Sequence, residues 1–189
     1  MYKIGTHNSA TGEKGSGLLS WLVTPFAKCQ SKTIEEQYNA GSRVFDLRVK
    51  FIKNKGLKFA HGIWYSSVDI HNILTFLNDK KCYVLMTYEG SFSKNFTEKE
   101  YLHSIEDIKY RFKDIRWLDI SVKRGYEGKW QTLVASNHNL PIKQGFVALD
   151  GSSWHTLIPI PWLWNKLYSV GKMSDNWYLL LDFCKEKMI

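Results

Sequence analysis

Arg43-Val44-Phe45-Asp46-Leu47-Arg48-Val49-Lys50 is an apolar run carrying two charges at alternate positions. It reads as a buried strand, and the two-residue period puts Asp46 and Arg48 on one face. An isolated charge inside a sheet costs several kcal/mol, so the two must pair with each other or meet a ligand. A guanidinium suits a phosphate, because its planar fork makes two parallel charge-assisted bonds. A structural ion pair at a strand end explains the same residues equally well.

Similar runs recur outward from this one. Strands are expected at Lys3–Gly5, Leu57–Ala60, Cys82–Tyr88, Trp117–Val122, Thr132–Ala135, Gly145–Leu149 and Trp177–Phe183. Most are short and nearly continuously apolar, the habit of strands covered on both faces. Helices intervene. Thr33-Ile34-Glu35-Glu36 is a capping box and Gly41 ends that helix. Ser66 or Ser67 can cap a second, striped by Ile70, Ile73, Leu74 and Leu77. Thr97-Glu98-Lys99-Glu100 is another capping box, followed by Tyr101, Ile105, Ile108 and Phe112 on one face.

Strands alternating with helices give an α/β chain with a largely parallel sheet. About eight strands suit a compact barrel. The expected fold is therefore a distorted (β/α)8 TIM barrel, one domain over residues 1–189. Between Val122 and Trp177 no helix signal is found, so the outer helix ring is expected to be incomplete. Pro141, Pro159 and Pro161 break that stretch into loops.

Composition narrows the class. Hydrophobic residues at 44% and charged residues at 23% are ordinary for a globular chain. Aromatic residues at 15%, with eight Trp, are abundant enough that some rings are expected at a surface or a site. The formal charge is +8, but the cations are scattered and no nucleic-acid fingerprint appears, so nucleic acid is not expected as a partner. Three widely spaced cysteines make neither a disulfide framework nor a metal site. No run reaches the ~20 apolar residues of a spanning helix. No signal peptide is read, so the chain is expected to be cytoplasmic, or secreted if a leader has been removed.

The chemistry lies in three short runs. His7 follows Gly5-Thr6 and precedes Asn8-Ser9, on a turn after the first strand. In a βα barrel that is the catalytic rim. His61 lies between Ala60 and Gly62, and Asp182 ends the last apolar run. Taken singly, each has a structural explanation: a histidine bonded to nearby backbone, or a carboxylate capping a turn. Together, two imidazoles and a fixed cation can break a phosphodiester by acid–base chemistry, and a carboxylate can orient one of them.

The runs Gly5–Ser9, Gln37 with Gly41–Arg48, and His61-Gly62 resemble the catalytic X-type domain of phosphatidylinositol-specific phospholipases C, more closely the bacterial single-domain branch. Leu179–Phe183 resembles that branch's last barrel strand. The likeness covers residues 3–90 and 177–183. It implies attack of the inositol 2-hydroxyl on phosphorus, giving inositol 1,2-cyclic phosphate and diacylglycerol. By motif, His7 would be the general base held by Asp182, and His61 the acid. Arg48 would stabilise the phosphate oxygens, with Asp46 positioning Arg48 or His61. Asn8, Tyr88 and Glu89 are expected to contact substrate.

Two departures bear on metal. Asn8 stands where the bacterial enzymes typically carry Asp, and Glu89 where they often carry Lys. Both resemble the calcium-dependent eukaryotic enzymes, in which calcium would be shared by Asn8, Asp46 and Glu89. Arg48, however, stands where those enzymes need a carboxylate, and a guanidinium would repel the ion. The expectation is no cofactor, with Glu89 paired to Arg48; calcium is the disfavoured alternative.

A lipid substrate requires an interfacial surface. Leu18-Leu19-Ser20-Trp21-Leu22-Val23-Thr24-Pro25-Phe26 is unusually apolar for a connection, and Ile158–Trp164 is a second such segment. Trp21, Leu22, Phe26, Trp162 and Trp164 are the expected membrane contacts, with positive charge favouring anionic lipid. The expected partner is phosphatidylinositol, plain or glycosylated, at a membrane surface, met by a monomer with no obligate protein partner. The competing readings are a catalytically weak phosphoinositide- or membrane-binding module on the same fold, and a glycerophosphodiesterase. The latter usually needs an acidic metal triad, where Arg48 is out of place.

Overall fold

The computed structural model describes residues 3–118 and strands at 122–127, 130–135, 144–149 and 177–181. Strand β1 (Lys3–Thr6) is central, parallel on one side to β2 (Val44–Ile52) and on the other to β10 (Trp177–Leu181). Gly5 permits this packing: a Cβ there would sit 2.3 Å from the Val44 carbonyl oxygen. Strand β5 (Tyr83–Tyr88) lies parallel along the other edge of β2, followed by β6 (Arg116–Leu118).

The inner and outer faces of β2 divide the molecule. Phe45, Leu47 and Val49 point into a hydrophobic core with Val84 and Met86 of β5. Helices α2 (Ile34–Asn39), α3 (Ile70–Asp79) and α4 (Glu98–Arg111) contribute Ile34, Leu74, Leu77, Ile105 and Ile108 to the same core. Asp46 and Arg48 take the opposite face, as the strand period requires. Both capping boxes form, at Thr33–Glu36 and Thr97–Glu100. The cap of α3 is Asp69, whose carboxylate accepts from His71 N at 2.7 Å; of the expected Ser66 or Ser67, both donate to Lys14 O, and Ser66 Oγ accepts from Val68 N.

Two features depart from a parallel barrel. The run expected at Leu57–Ala60 is β3 (Gly56–His61), which returns antiparallel on β2 and forms a hairpin with β4 (Trp64–Tyr65). Strands β7 (Val122–Glu127), β8 (Trp130–Ala135) and β9 (Gln144–Leu149) also pair antiparallel, and only β9 returns to a parallel contact with β10. The link at 128–129 is too short for a parallel crossover, which takes about a dozen residues. Among the described residues the sheet runs β6-β5-β2-β1-β10-β9-β8-β7, with no pairing of β6 to β7. The described fold is thus a mixed α/β sheet with helices, not a closed barrel.

This topology leaves a gap in β2. Along one edge, β1 pairs only as far as Phe45, and β3 begins only at Val49. The ends of β1 and β3 therefore converge on the uncovered segment that carries Asp46 and Arg48. No helix among the described residues is long and apolar enough to cross a membrane.

Candidate functional site

His7 leaves the end of β1 and is 1% exposed. Its amide continues the β1–β10 pairing by donating to Leu181 O at 3.0 Å. Gln30, fully buried, clips the ends of β1 and β10 together by donating to His7 O at 2.9 Å and to Leu181 O at 2.7 Å. Asn8 then turns the chain in the left-handed region (φ 44°, ψ 47°), which Asn tolerates better than most residues. That turn aims the Asn8 amide at Asp46 Oδ2, 3.1 Å away.

Arg48 Nη2 approaches His7 Nε2 at 2.8 Å. Its Nε lies 3.6 Å from Asp46 Oδ2 and its Nη1 3.5 Å from Glu89 Oε2. Asp46 Oδ2 is also 3.7 Å from His7 Nε2. The cation is therefore framed by two carboxylates and one imidazole, and all but Glu89 are buried. The expected Glu89–Arg48 contact is present.

His61 enters from β3. Its Nδ1 faces Ala27 O at 2.7 Å, at the end of α1 (Gly17–Ala27), and because a carbonyl can only accept, Nδ1 carries the hydrogen. In the neutral ring Nε2 is then the acceptor, and Asn8 Nδ2 donates to it at 3.4 Å. Burial pushes the His61 pKa below the ordinary histidine value, and the Arg48 charge pushes it the same way; the Ala27 bond and Glu89 oppose them. Asn8 thus bridges the two histidines, with its amide on the Asp46 side and its side chain on His61.

Sequence reasoning missed several neighbours. Cys29 Sγ lies 3.4 Å from Asn8 Nδ2 and 3.9 Å from His61 Nδ1. Neither it nor Gln30 carries a local signal, because both reach the site across a loop. Thr87 is the Cα partner of Arg48 on β5, so it shares the site face. Its Oγ1 is buried without a hydrogen-bond partner among the described residues. This parity corrects the placement of Tyr88, one residue on. Its ring points to the helix side, stacked on Phe92 at 4.4 Å and packed against Tyr101 at 5.1 Å, so it does not reach the site. Asp182, Trp162, Trp164 and the side chain of Phe26 lie outside the described residues.

Asn8 Oδ1 and Asp46 Oδ1 are buried without hydrogen-bond partners among the described residues, which is what a cation would seek. The rest of the site does not fit calcium. Glu89 already accepts from Gly62 N and faces Arg48, and the guanidinium lies against both Asp46 and Glu89. The ion would sit beside a fixed positive charge that already faces both carboxylates it would need.

A cavity of about 390 Å3 opens beside His61, lined by Val23, Ala27, His61, Gly62, Ile63 and Glu89. Helix α1 lines it with Val23 and Ala27, and elsewhere on its surface the same helix exposes Leu18, Leu19, Trp21 and Leu22 by 54% to 72%; Ile63, in the cavity lining, is 61% exposed. The segment expected as an apolar connection is thus a helix with an uncovered apolar surface.

No family model matches the chain, and no curated protein matches it in sequence. Among solved structures it is similar to the phosphatidylinositol-specific phospholipase C of Listeria monocytogenes, at 20% identity and a TM-score of 0.45, over 69% of this chain and 45% of that one. It is likewise similar to the S. aureus phosphatidylinositol-specific phospholipase C described for modulation of its membrane binding. There the identity is 14% and the TM-score 0.45, over 78% of this chain and 60% of that one. The chain spans about half the length of those two chains. Similarity of that degree does not by itself say what this chain does.

Proposed function

We propose that this chain is a metal-independent phospholipase C that cleaves phosphatidylinositol, or its glycosylated form, to diacylglycerol and inositol 1,2-cyclic phosphate. The observation that carries the reading is the convergence of His7, Arg48 and His61 on one uncovered segment of β2, with Arg48 2.8 Å from His7 and Asn8 linking to His61. The order of motifs in the sequence supports the same chemistry. The reading carries a distorted barrel with it.

In the proposed reaction the inositol 2-hydroxyl attacks phosphorus and gives its proton to His7 Nε2. A non-bridging phosphate oxygen takes the place of His7 on Arg48, whose charge offsets the negative charge gathering there. Asp46, close to Nε2, favours the imidazolium that forms. The bond from phosphorus to the glycerol oxygen breaks, and His61, protonated at Nε2, gives that proton to the leaving oxygen. What remains is the neutral Nδ1–H ring that the Ala27 carbonyl holds. Ile63, in the lining of the cavity beside His61, and the exposed face of α1 would sit at the lipid surface.

The test is release of cyclic inositol phosphate from phosphatidylinositol vesicles in EDTA. His7→Ala and His61→Ala should each lose roughly 10²–10⁴-fold in rate, the usual worth of a positioned acid or base. Vesicle binding without product, with or without calcium, would instead favour the binding-module reading. Activity only with added calcium would remove the metal-independent mechanism.

A further inference from the structure

Glu89 follows directly on β5, and its amide donates to Val49 O at 2.8 Å, so its backbone is anchored to the strand that carries Arg48. Its two carboxylate oxygens then go separate ways. Oε1 accepts from Gly62 N at 3.0 Å, and Oε2 faces Arg48 Nη1 at 3.5 Å. Gly62 is the first residue of the turn after β3, held at φ 62°, and is the immediate neighbour of His61. The sequence suggested substrate contact for this residue. A carboxylate would repel a phosphodiester, however, and both of its oxygens already face protein donors.

We propose that Glu89 is a positioning residue that ties the turn bearing His61 to the guanidinium of Arg48. This rests on the phospholipase reading, in which the two groups act on the same phosphorus: Arg48 on a non-bridging oxygen and His61 on the leaving oxygen. In-line displacement requires their separation to be held, and a misplacement of about 1 Å can cost on the order of 10²-fold. The His61 ring is held by Ala27 O from α1 and by Asn8 Nδ2, and on the turn itself Lys50 Nζ donates to Gly62 O at 3.4 Å. Glu89 takes the Gly62 N–H, the shortest side-chain bond to the backbone beside the ring, and is the group that links that backbone to Arg48. Its Oε2 also takes one end of the Arg48 fork, leaving Nη2 directed at His7.

The experiment compares Glu89→Ala and Glu89→Gln with the parent by amide hydrogen exchange at Gly62 and by turnover on phosphatidylinositol vesicles. A Gln side-chain oxygen can still accept from Gly62 N but carries no charge for Arg48. The expected result is faster Gly62 exchange, by about tenfold or more, in the Ala variant and near-parental exchange in the Gln variant. The Ala variant should lose roughly 10–100-fold in kcat with KM little changed, and the Gln variant should fall between. Parental exchange at Gly62 in the Ala variant, or faster exchange with parental kcat, overturns the proposal. If the variants show this exchange pattern and the parent does not turn over lipid, the phospholipase reading is removed and the tie alone is supported.

Discussion

The guanidinium of Arg48 and the imidazole of His7 meet inside the protein, Nη2 to Nε2, at 2.8 Å. A guanidinium can only donate, so His7 must accept through an unprotonated Nε2 and carry its hydrogen on Nδ1. The Nε2 lone pair of His7, the base in the proposed reaction, is therefore covered by the Arg48 guanidinium in this structure. In that reaction a phosphate oxygen would compete for the guanidinium and uncover Nε2.

Arg48→Ala should act on both catalysis and stability. Removing a preorganised donor to the phosphate costs about 10²–10³-fold in kcat. It also leaves buried Asp46 without its cation, a change worth about 3–5 kcal/mol. Vesicle turnover and urea unfolding of the same sample check the two halves. An unchanged unfolding midpoint would show that Asp46 does not depend on Arg48.

The pH profile should place the proposed acid. His61 must be protonated to act, and burial and Arg48 both lower its pKa. Its protonated fraction is therefore lost at lower pH than for an ordinary histidine, and the alkaline limb of kcat/KM should fall below about 6.5. The charged and titratable groups that act on it are Arg48, Glu89 and His7, with Cys29 in contact. Asn8→Asp would put a carboxylate against Nε2 in place of an amide 3.4 Å away. An opposite charge favours the imidazolium, so that limb should move to higher pH. A limb unmoved by Asn8→Asp would mean that His61 is not the group it reports.

The exposed face of α1 gives a third expectation. Trp21 and Leu22 are 70% and 54% exposed, so their contribution to folding is small, within about 0.5 kcal/mol. Burying a large apolar side chain in lipid is worth about 1.5–3 kcal/mol. Trp21→Ser with Leu22→Ser should therefore weaken binding to phosphatidylinositol vesicles by at least roughly 10² while leaving thermal unfolding nearly unchanged. Vesicle sedimentation and a melting curve together decide it. Parental vesicle binding would move the interface elsewhere on the surface.

Local patterns in the chain anticipated much of this. The two capping boxes, the apolar stripes of α3 and α4 and strands β1, β2, β3 and β5 depend on neighbours within a few residues, so the sequence carries them directly. The two-residue β4 carries no such signal, and the run expected at Trp117–Val122 is divided between β6 (Arg116–Leu118) and the start of β7 at Val122. The shared face of Asp46 and Arg48 follows from the strand period alone. The same period, applied to β5, would have moved attention from Tyr88 to Thr87, once the register with Arg48 was known. The return of β3 as an antiparallel hairpin was not legible, because a short apolar run does not state the direction of its partner.

By itself, then, the sequence determined which side chains are paired by short spacing: the strand that buries Asp46 with Arg48, the caps, and the histidines at strand ends. Only the tertiary structure decided what those groups face. Ala27 O reaches His61 from 34 residues away, Gln30 reaches Leu181 from 151, and Gly62 reaches Glu89 from 27. These contacts exist because β1 and β3 each cover only part of one edge of β2 and leave the segment between them open. That gap is a property of register between distant strands, and no local run of residues specifies it.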